Sequence, residues 1–201
     1  MQGYDYTSEG YYFVTICTKD RVCYFGNVID QEMYLSEIGK IAEAEWLKTE
    51  TIRKNVKLDE FVVMPNHVHG IVCIGDNGFR NAPQVWLCDS GIGMVGTLGR
   101  DVATQRLYDG VQRHALRRPD GTYHIVRNPK MSQISPKPHS LSTIIRAYKS
   151  AVTRCCNKNN HEFQWQSRFY DRIIRDEDEL NRIRIYIKNN PMMWNRDWNN
   201  L

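Results

Sequence analysis

Glu60-Phe61-Val62-Val63-Met64-Pro65-Asn66-His67-Val68-His69-Gly70-Ile71-Val72-Cys73-Ile74 consists of two apolar runs, 61–64 and 70–74, that meet at a Pro-Asn turn. Short apolar runs rich in β-branched residues and joined by turn residues predict a strand pair, here spanning 56–74. Successive side chains on a strand alternate between faces, so His67 and His69 share one face while Val68 packs on the other. Two neutral imidazoles presented side by side suit a divalent metal ion. The same spacing equally fits two inert, hydrogen-bonded histidines at a strand end.

The elements around this pair complete a pattern. Upstream, 11–18 predicts a first strand, with 22–25 as a brief extension before a turn at Gly26-Asn27. A helix is expected over 31–54, capped by Asp30, with Leu35, Ile38, Ile41, Ala42 and Trp46 facing inward. Gly39 interrupts it at a cost of about 1 kcal/mol relative to Ala. Downstream, Leu141, Ile144, Ile145, Tyr148, Ala151, Val152 and Cys155 keep helical spacing over 140–157. Residues 163–174 read as extended. Asp176 and Glu179 resemble a capping box opening a last helix over 177–190, anchored by Leu180, Ile183 and Ile187 and stopped by Pro191. The tail with Trp194 and Trp198 is expected to pack back on the domain.

The order β-α-β-β-α-β defines an α+β, ferredoxin-like antiparallel sheet of four strands with two helices on one face. Both histidines then lie on a central strand. The last helix is an addition that crosses the open face. The whole chain, 1–201, is expected to be one domain carrying a long loop-rich insertion at 77–139.

That insertion loses hydrophobic periodicity, and residues 78–140 hold nine Lys/Arg against four Asp/Glu. Connections this long are usually functional, disordered or inserted, and the expectation is a flexible basic loop. Gly91-Ile92-Gly93-Met94-Val95-Gly96 matches the dinucleotide-binding fingerprint, with Val85, Trp86 and Leu87 as a short strand before it. No apolar helix face follows, so it reads as a glycine-rich loop. Across 201 residues the hydrophobic share of 41% is globular, and the net charge of +4 is compatible with nucleic acid without requiring it. The start of the chain lacks secretory-signal features, and no apolar run approaches a membrane span. The six cysteines lack C-x-x-C spacing and read as reduced thiols in a cytoplasmic protein.

Tyr186 and Asn190, four apart on the last helix, share a face about one turn from each other. A carboxamide oxygen would add a ligand to a bis-histidine site, and a phenol oxygen would attack a phosphorus held there. Spacing alone leaves Tyr148 and Tyr170 as rivals, Tyr148 being better explained as core. On the helix over 140–157 and just past it, Arg146, Lys149, Arg154 and Lys158 are candidates for phosphate contacts, and equally a solvated face.

Tyr12-Phe13-Val14-Thr15-Ile16-Cys17-Thr18, Met64-Pro65-Asn66-His67-Val68-His69, Trp165-Gln166 and Tyr186-Ile187-Lys188-Asn189-Asn190-Pro191 together resemble the REP-associated tyrosine transposases, within the single-tyrosine HUH transposases of insertion sequences. The resemblance covers roughly 10–76 and 140–194. It implies that His67 and His69 are metal ligands, that Asn190 stands at the third ligand position, and that Tyr186 is the nucleophile. The implied reaction cleaves and rejoins single-stranded hairpin DNA through a 5′-phosphotyrosine with Mg²⁺ or Mn²⁺, in a monomer or homodimer away from the membrane. The segment 77–139 departs from the family pattern and bears on hairpin recognition.

Two other readings stand beside it. One is a domesticated, non-catalytic hairpin DNA- or RNA-binding protein, which would not require all four site residues. The other is a relaxase or replication initiator, which commonly carries a third metal-binding histidine; none of His114, His124, His139 or His161 fits that place. A zinc hydrolase lacks a suitable acidic or thiolate ligand in this reading.

Overall fold

The computed structural model describes residues 9–75, 139–197 and 199–200, together with the backbone of 115–117 and 123–125. The chain divides into two compact units, one of 1–81 with 136–201 and one of 82–135.

In the first unit, strand β1 (Gly10–Cys17) leads through a 3-10 turn (Lys19–Arg21) to a hairpin of β2 (Gly26–Ile29) and β3 (Glu32–Leu35). Helix α1 (Glu37–Ile52) follows, then β4 (Val56–Met64) and β5 (His67–Ile74). In the second unit β6 (Ala115–Arg117) and β7 (Tyr123–Ile125) pair antiparallel. Back in the first, helix α2 (Leu141–Lys158), strand β8 (Tyr170–Ile174), helix α3 (Glu177–Asn189) and a 3-10 segment (Pro191–Arg196) complete the chain. The main sheet has the order β4-β5-β1-β8 with every neighbour antiparallel, the ferredoxin-like arrangement.

Alternation decides which residues face which layer. Tyr12, Val14 and Ile16 of β1 and Val68, Val72 and Ile74 of β5 join Trp46, Ile144, Ile145 and Val152 in the larger core beneath α1 and α2. Phe13 and Ile71 turn the other way and pack with Leu180 and Ile187 of α3. Every residue of β5 is buried, so its histidines lie between two layers. Close packing there requires glycine: a Cβ on Gly70 would come within 2.4 Å of the Trp46 ring.

The hairpin β2–β3 corrects the expectations for 22–35. Gly26 opens a strand instead of a turn, and residues 22–25 join no strand. Asp30 does not cap a helix: Asp30 and Gln31 both adopt left-handed φ, 51° and 67°, as the two-residue turn. Glu32-Met33-Tyr34-Leu35 alternates exposed and half-buried residues, although the same four residues also fit a first helical turn. The cap is Ser36, whose hydroxyl accepts from Gly39 N at 3.0 Å and donates to Tyr24 O at 2.6 Å. Gly39 is required here rather than tolerated, because a Cβ would stand 2.1 Å from Phe25 O.

The extended reading of 163–174 narrows to β8, preceded by a single bridge between Trp165 and Thr18. Asp176 caps α3 as expected, accepting from Glu179 N at 2.7 Å, while the Glu179 carboxylate accepts from Arg175 N, one residue before the cap. Arg184 clamps α3 to β4 through both carboxylate oxygens of Asp59, its Nε donating at 2.8 Å.

The strands β6 and β7 lie within 77–139, where the sequence reading offered only a short strand at 85–87. The glycine-rich run 91–96, the short run 85–87, Cys88, His114 and the side chain of Trp198 lie outside the described residues. Cys17, Cys23, Cys73, Cys155 and Cys156 are free thiols. No helix among the described residues is long and apolar enough to cross a membrane.

Candidate metal and nucleophile site

The two-residue turn Pro65-Asn66 brings the chain into β5 with His67 already buried. Asn66, itself buried, donates through Nδ2 to Arg21 O at 3.1 Å and Asn199 O at 2.8 Å. That fixes its amide orientation, so Oδ1 accepts from His67 Nδ1 at 2.8 Å. His67 Nε2 is therefore the ring's lone pair. It points at Asp197 Oδ2, 3.7 Å away and beyond hydrogen-bond range. Neither atom has a hydrogen-bond partner, although both are buried.

His69 is oriented in the same manner from the neighbouring strand. It pairs with Thr15 in the β1–β5 register, and Thr15 Oγ1 lies 2.9 Å from His69 Nδ1. With Nδ1 as the proton-bearing atom, His69 Nε2 accepts from the Tyr186 hydroxyl at 3.2 Å. The two imidazole centroids stand 4.4 Å apart, and Phe13 stacks against His69 at 5.3 Å. Such partners on the far ring nitrogen fix tautomer and orientation in the way metal-binding histidines require.

Helix α3 supplies the rest. Its docking through Ile187 and Arg184 aims Tyr186 at His69 while leaving the residue 44% exposed. Asn190, buried one turn on, gives a side-chain hydrogen bond to the phenol, and its Oδ1 has no hydrogen-bond partner. The 3-10 segment then folds back so that Trp194 lies 6.1 Å from His67 and Asp197 meets the rings.

The electrostatics follow from burial. His67 is pushed down to about 3 by desolvation, with the Arg21 guanidinium adding to it. His69 is held well below the ordinary imidazole value by burial and then by His67, against the pull of Asp197. Both rings are neutral at pH 7, the form that ligates metals. Tyr186 is raised by burial and by Asp197, with the Asn190 hydrogen bond opposing, so the phenol is protonated.

One ligand atom each from His67, His69 and Asp197 lie within 4.8 Å of one another. Asp197 overturns the expectation that the site lacks an acidic ligand. It comes from the irregular tail, where no period marks it; a lone Asp beside a Trp-rich stop was the only signal. Unpartnered buried acceptors on His67 and Asp197 fit a bound cation: two lone pairs facing each other without a proton are otherwise costly.

The remaining candidates separate. Tyr148 is buried and bonds Ala42 O at 3.2 Å, a core role. Tyr170 is exposed on the edge strand β8. Lys149 spends its ammonium on Gln166 O at 2.6 Å and Arg168 O at 3.0 Å, pinning the stretch that leads into β8. Lys149 and Arg154 line one cavity of about 520 Å³ along α2 with Ser150, Thr153 and Trp165. Arg146 and Lys158 are exposed on α2 outside it.

No protein-family model matches the chain. An uncharacterised protein of Haemophilus influenzae is 30% identical over 200 residues, covering 98% of this chain and 88% of that one. A solved structure of a REP-associated tyrosine transposase bound to a REP hairpin aligns over 96% of this chain and 74% of its own, with a TM-score of 0.52 at 16% identity. The fold is thus that of the REP-associated tyrosine transposases. The chain belongs to one family with the Haemophilus influenzae protein.

Proposed function

We propose that this protein is a transposase-like, metal-dependent strand transferase that cleaves and rejoins single-stranded DNA at hairpin elements. The observation that carries the reading is the Tyr186 hydroxyl on His69 Nε2, beside buried acceptors of His67 and Asp197 that have no partner. A pure binding protein has no need of such groups.

His67, His69 and Asp197 would hold a cation, Mg²⁺ or Mn²⁺, with the Asn190 carboxamide as a further oxygen donor. When bound, it supplies Lewis-acid polarisation of a phosphoryl oxygen. Thr15 and Asn66 keep the two rings in the tautomer that leaves Nε2 free to ligate. The Nε2 lone pair that Tyr186 uses is also the one a cation would take. Their hydrogen bond therefore marks proximity, not a proton-transfer contact. As Tyr186 Oη forms its bond to phosphorus, the bond from phosphorus to the 3′-oxygen breaks. The phenol proton leaves to solvent on the open side, and the 3′-oxygen gains a proton to become a hydroxyl. A 5′-phosphotyrosine results, which a 3′-hydroxyl can reverse by the same exchange.

Tyr186 reaches His69 of its own chain, which supports action in cis without requiring a dimer. Arg146, Arg154 and Lys158 on α2 are the proposed backbone contacts, Lys149 holding the adjoining strand. Hairpin DNA as partner and a cytoplasmic location belong to the same reading. A relaxase-type site gains no support, since the third acidic or imidazole group here is Asp197, and His139 and His161 lie outside the cluster.

The test is covalent capture. Protein incubated with Mn²⁺ or Mg²⁺ and hairpins from the DNA flanking its gene should give an adduct that survives denaturing electrophoresis. Tyr186→Phe should abolish it and Tyr170→Phe should not. An adduct persisting in Tyr186→Phe overturns the assignment.

A further inference from the structure

The second cavity, of about 540 Å³, opens beside the nucleophile, and its walls include His69, Tyr186, Tyr170, Arg168, Arg21 and Gln166. None of its lining residues is acidic and two are arginines, so its charge suits a phosphodiester strand. The sheet register places Tyr170 in a single row with the site. Thr15 is the partner of His69 on one side and of Tyr170 on the other, and directly paired residues project to one face. Two strand spacings, roughly 10 Å, separate the backbones of Tyr170 and His69.

Tyr170 is 59% exposed, more so than Tyr186, on an edge strand, where exposed positions are usually polar. Its backbone is not loose. Lys149 clamps the carbonyls of Gln166 and Arg168 just ahead of it, and Gln166 N is bonded to Cys17 O at 3.0 Å. A rigidly mounted, exposed ring costs little entropy when something stacks on it.

Resting on the DNA reading above, we propose that Tyr170 is a stacking platform for the base next to the phosphate that Tyr186 attacks, with the Arg168 guanidinium serving the adjoining backbone. Gln166 lines both this cavity and the basic one along α2, so the single strand has a continuous track past the sheet edge. Stacking tolerates any base. Tyr170 therefore sets affinity and alignment at this position, and sequence choice comes from elsewhere.

The experiment uses the full chain carrying Tyr186→Phe, so that binding is read without cleavage. The probe is a hairpin oligonucleotide with 2-aminopurine placed in turn at each position of its single-stranded foot. One position should show strong quenching on binding. Adding Tyr170→Thr, which retains strand propensity, should remove that quenching and weaken binding at least fivefold, as loss of one stacked base implies. Adding Tyr170→Phe should preserve both, because the ring and not the hydroxyl does the stacking. A blunt hairpin without the foot should bind all variants alike. Tyr170→Thr matching the parent in quenching and affinity overturns the proposal, as does Tyr170→Phe failing as badly as Tyr170→Thr. Absence of adduct in the unsubstituted protein would instead refute the covalent chemistry and leave this readout intact.

Discussion

Replacing Asp197 by Asn should stabilise the metal-free protein and weaken its hold on the cation, two effects of opposite sign from one atom. Asp197 Oδ1 accepts from Asn199 N at 2.8 Å and Asn199 Nδ2 at 3.0 Å, and an amide oxygen keeps both bonds. The change falls on Oδ2. There, an amide NH₂ would replace an acceptor that faces the His67 Nε2 lone pair at 3.7 Å. Two buried acceptors become a donor facing an acceptor, which hydrogen-bond once the tail closes the gap by about half an ångström. An unsatisfied buried group costs about 1–3 kcal/mol, and for a chain of this size each kcal/mol moves Tm by about 2–4 °C. In EDTA, Asp197→Asn should therefore melt a few degrees higher than the parent. With a cation at 100 times its Kd, the parent gains about 2.7 kcal/mol. Loss of the carboxylate should raise Kd by at least about tenfold, which removes much of that gain. Thermal unfolding followed by circular dichroism, in EDTA and across a Mn²⁺ titration, reads both effects. If Asp197→Asn melts lower in EDTA, or keeps the full Mn²⁺ shift, the pairing of Asp197 with His67 around a cation is wrong.

Three further outcomes follow from the same geometry. In EDTA, His67 takes its proton near 6.5 when unfolded and at about 3 when folded; the unfolded chain then binds more protons between those values. Stability should fall by about 1.4 kcal/mol per pH unit as pH drops below 6.5. His69 acts in the same direction, and urea melts from pH 6.5 to 4.5 should be visibly flatter for His67→Gln. Gly39→Ala should destabilise by about 2 kcal/mol despite the better helix propensity of Ala, since Phe25 O obstructs the new methyl; an unchanged urea midpoint would contradict it. Arg184→Ala leaves Asp59 without its clamp and should slow adduct formation while hairpin affinity holds, because α3 carries Tyr186 and the α2 face does not move. Equal losses of rate and affinity would show that α3 docking is not what positions the phenol.

The sheet was legible because its signal is local and repeated. Runs of β-branched, aromatic and other apolar residues in 11–18 and 56–74 named the strands, and the element order admitted one familiar topology. His67 and His69 were legible for the same reason, two residues apart on a strand, as were Tyr186 and Asn190, four apart on a helix. Where the reading failed, local pattern was ambiguous. Glu32-Met33-Tyr34-Leu35 fits both periods, and the turn at Asp30-Gln31 has no glycine to announce it, so the helix was started too early. Gly39, which looked like a defect, is where helix and loop backbones touch.

Asp197 was beyond that kind of reading, since it sits on a tail whose path depends on Trp194, Asn199 and Asn66 meeting in three dimensions. Its position carries an argument that periodicity does not. Folding alone favours a donor opposite the His67 Nε2 lone pair, and Asn would serve there without disturbing the tail. An acidic group at that point makes the empty-handed protein less stable than it need be. The same arrangement becomes favourable once a positive charge stands between the rings and the carboxylate. A tail selected merely to cover the sheet has no cause to aim a carboxylate at two neutral imidazoles, whereas a tail that helps hold a cation beside Tyr186 does.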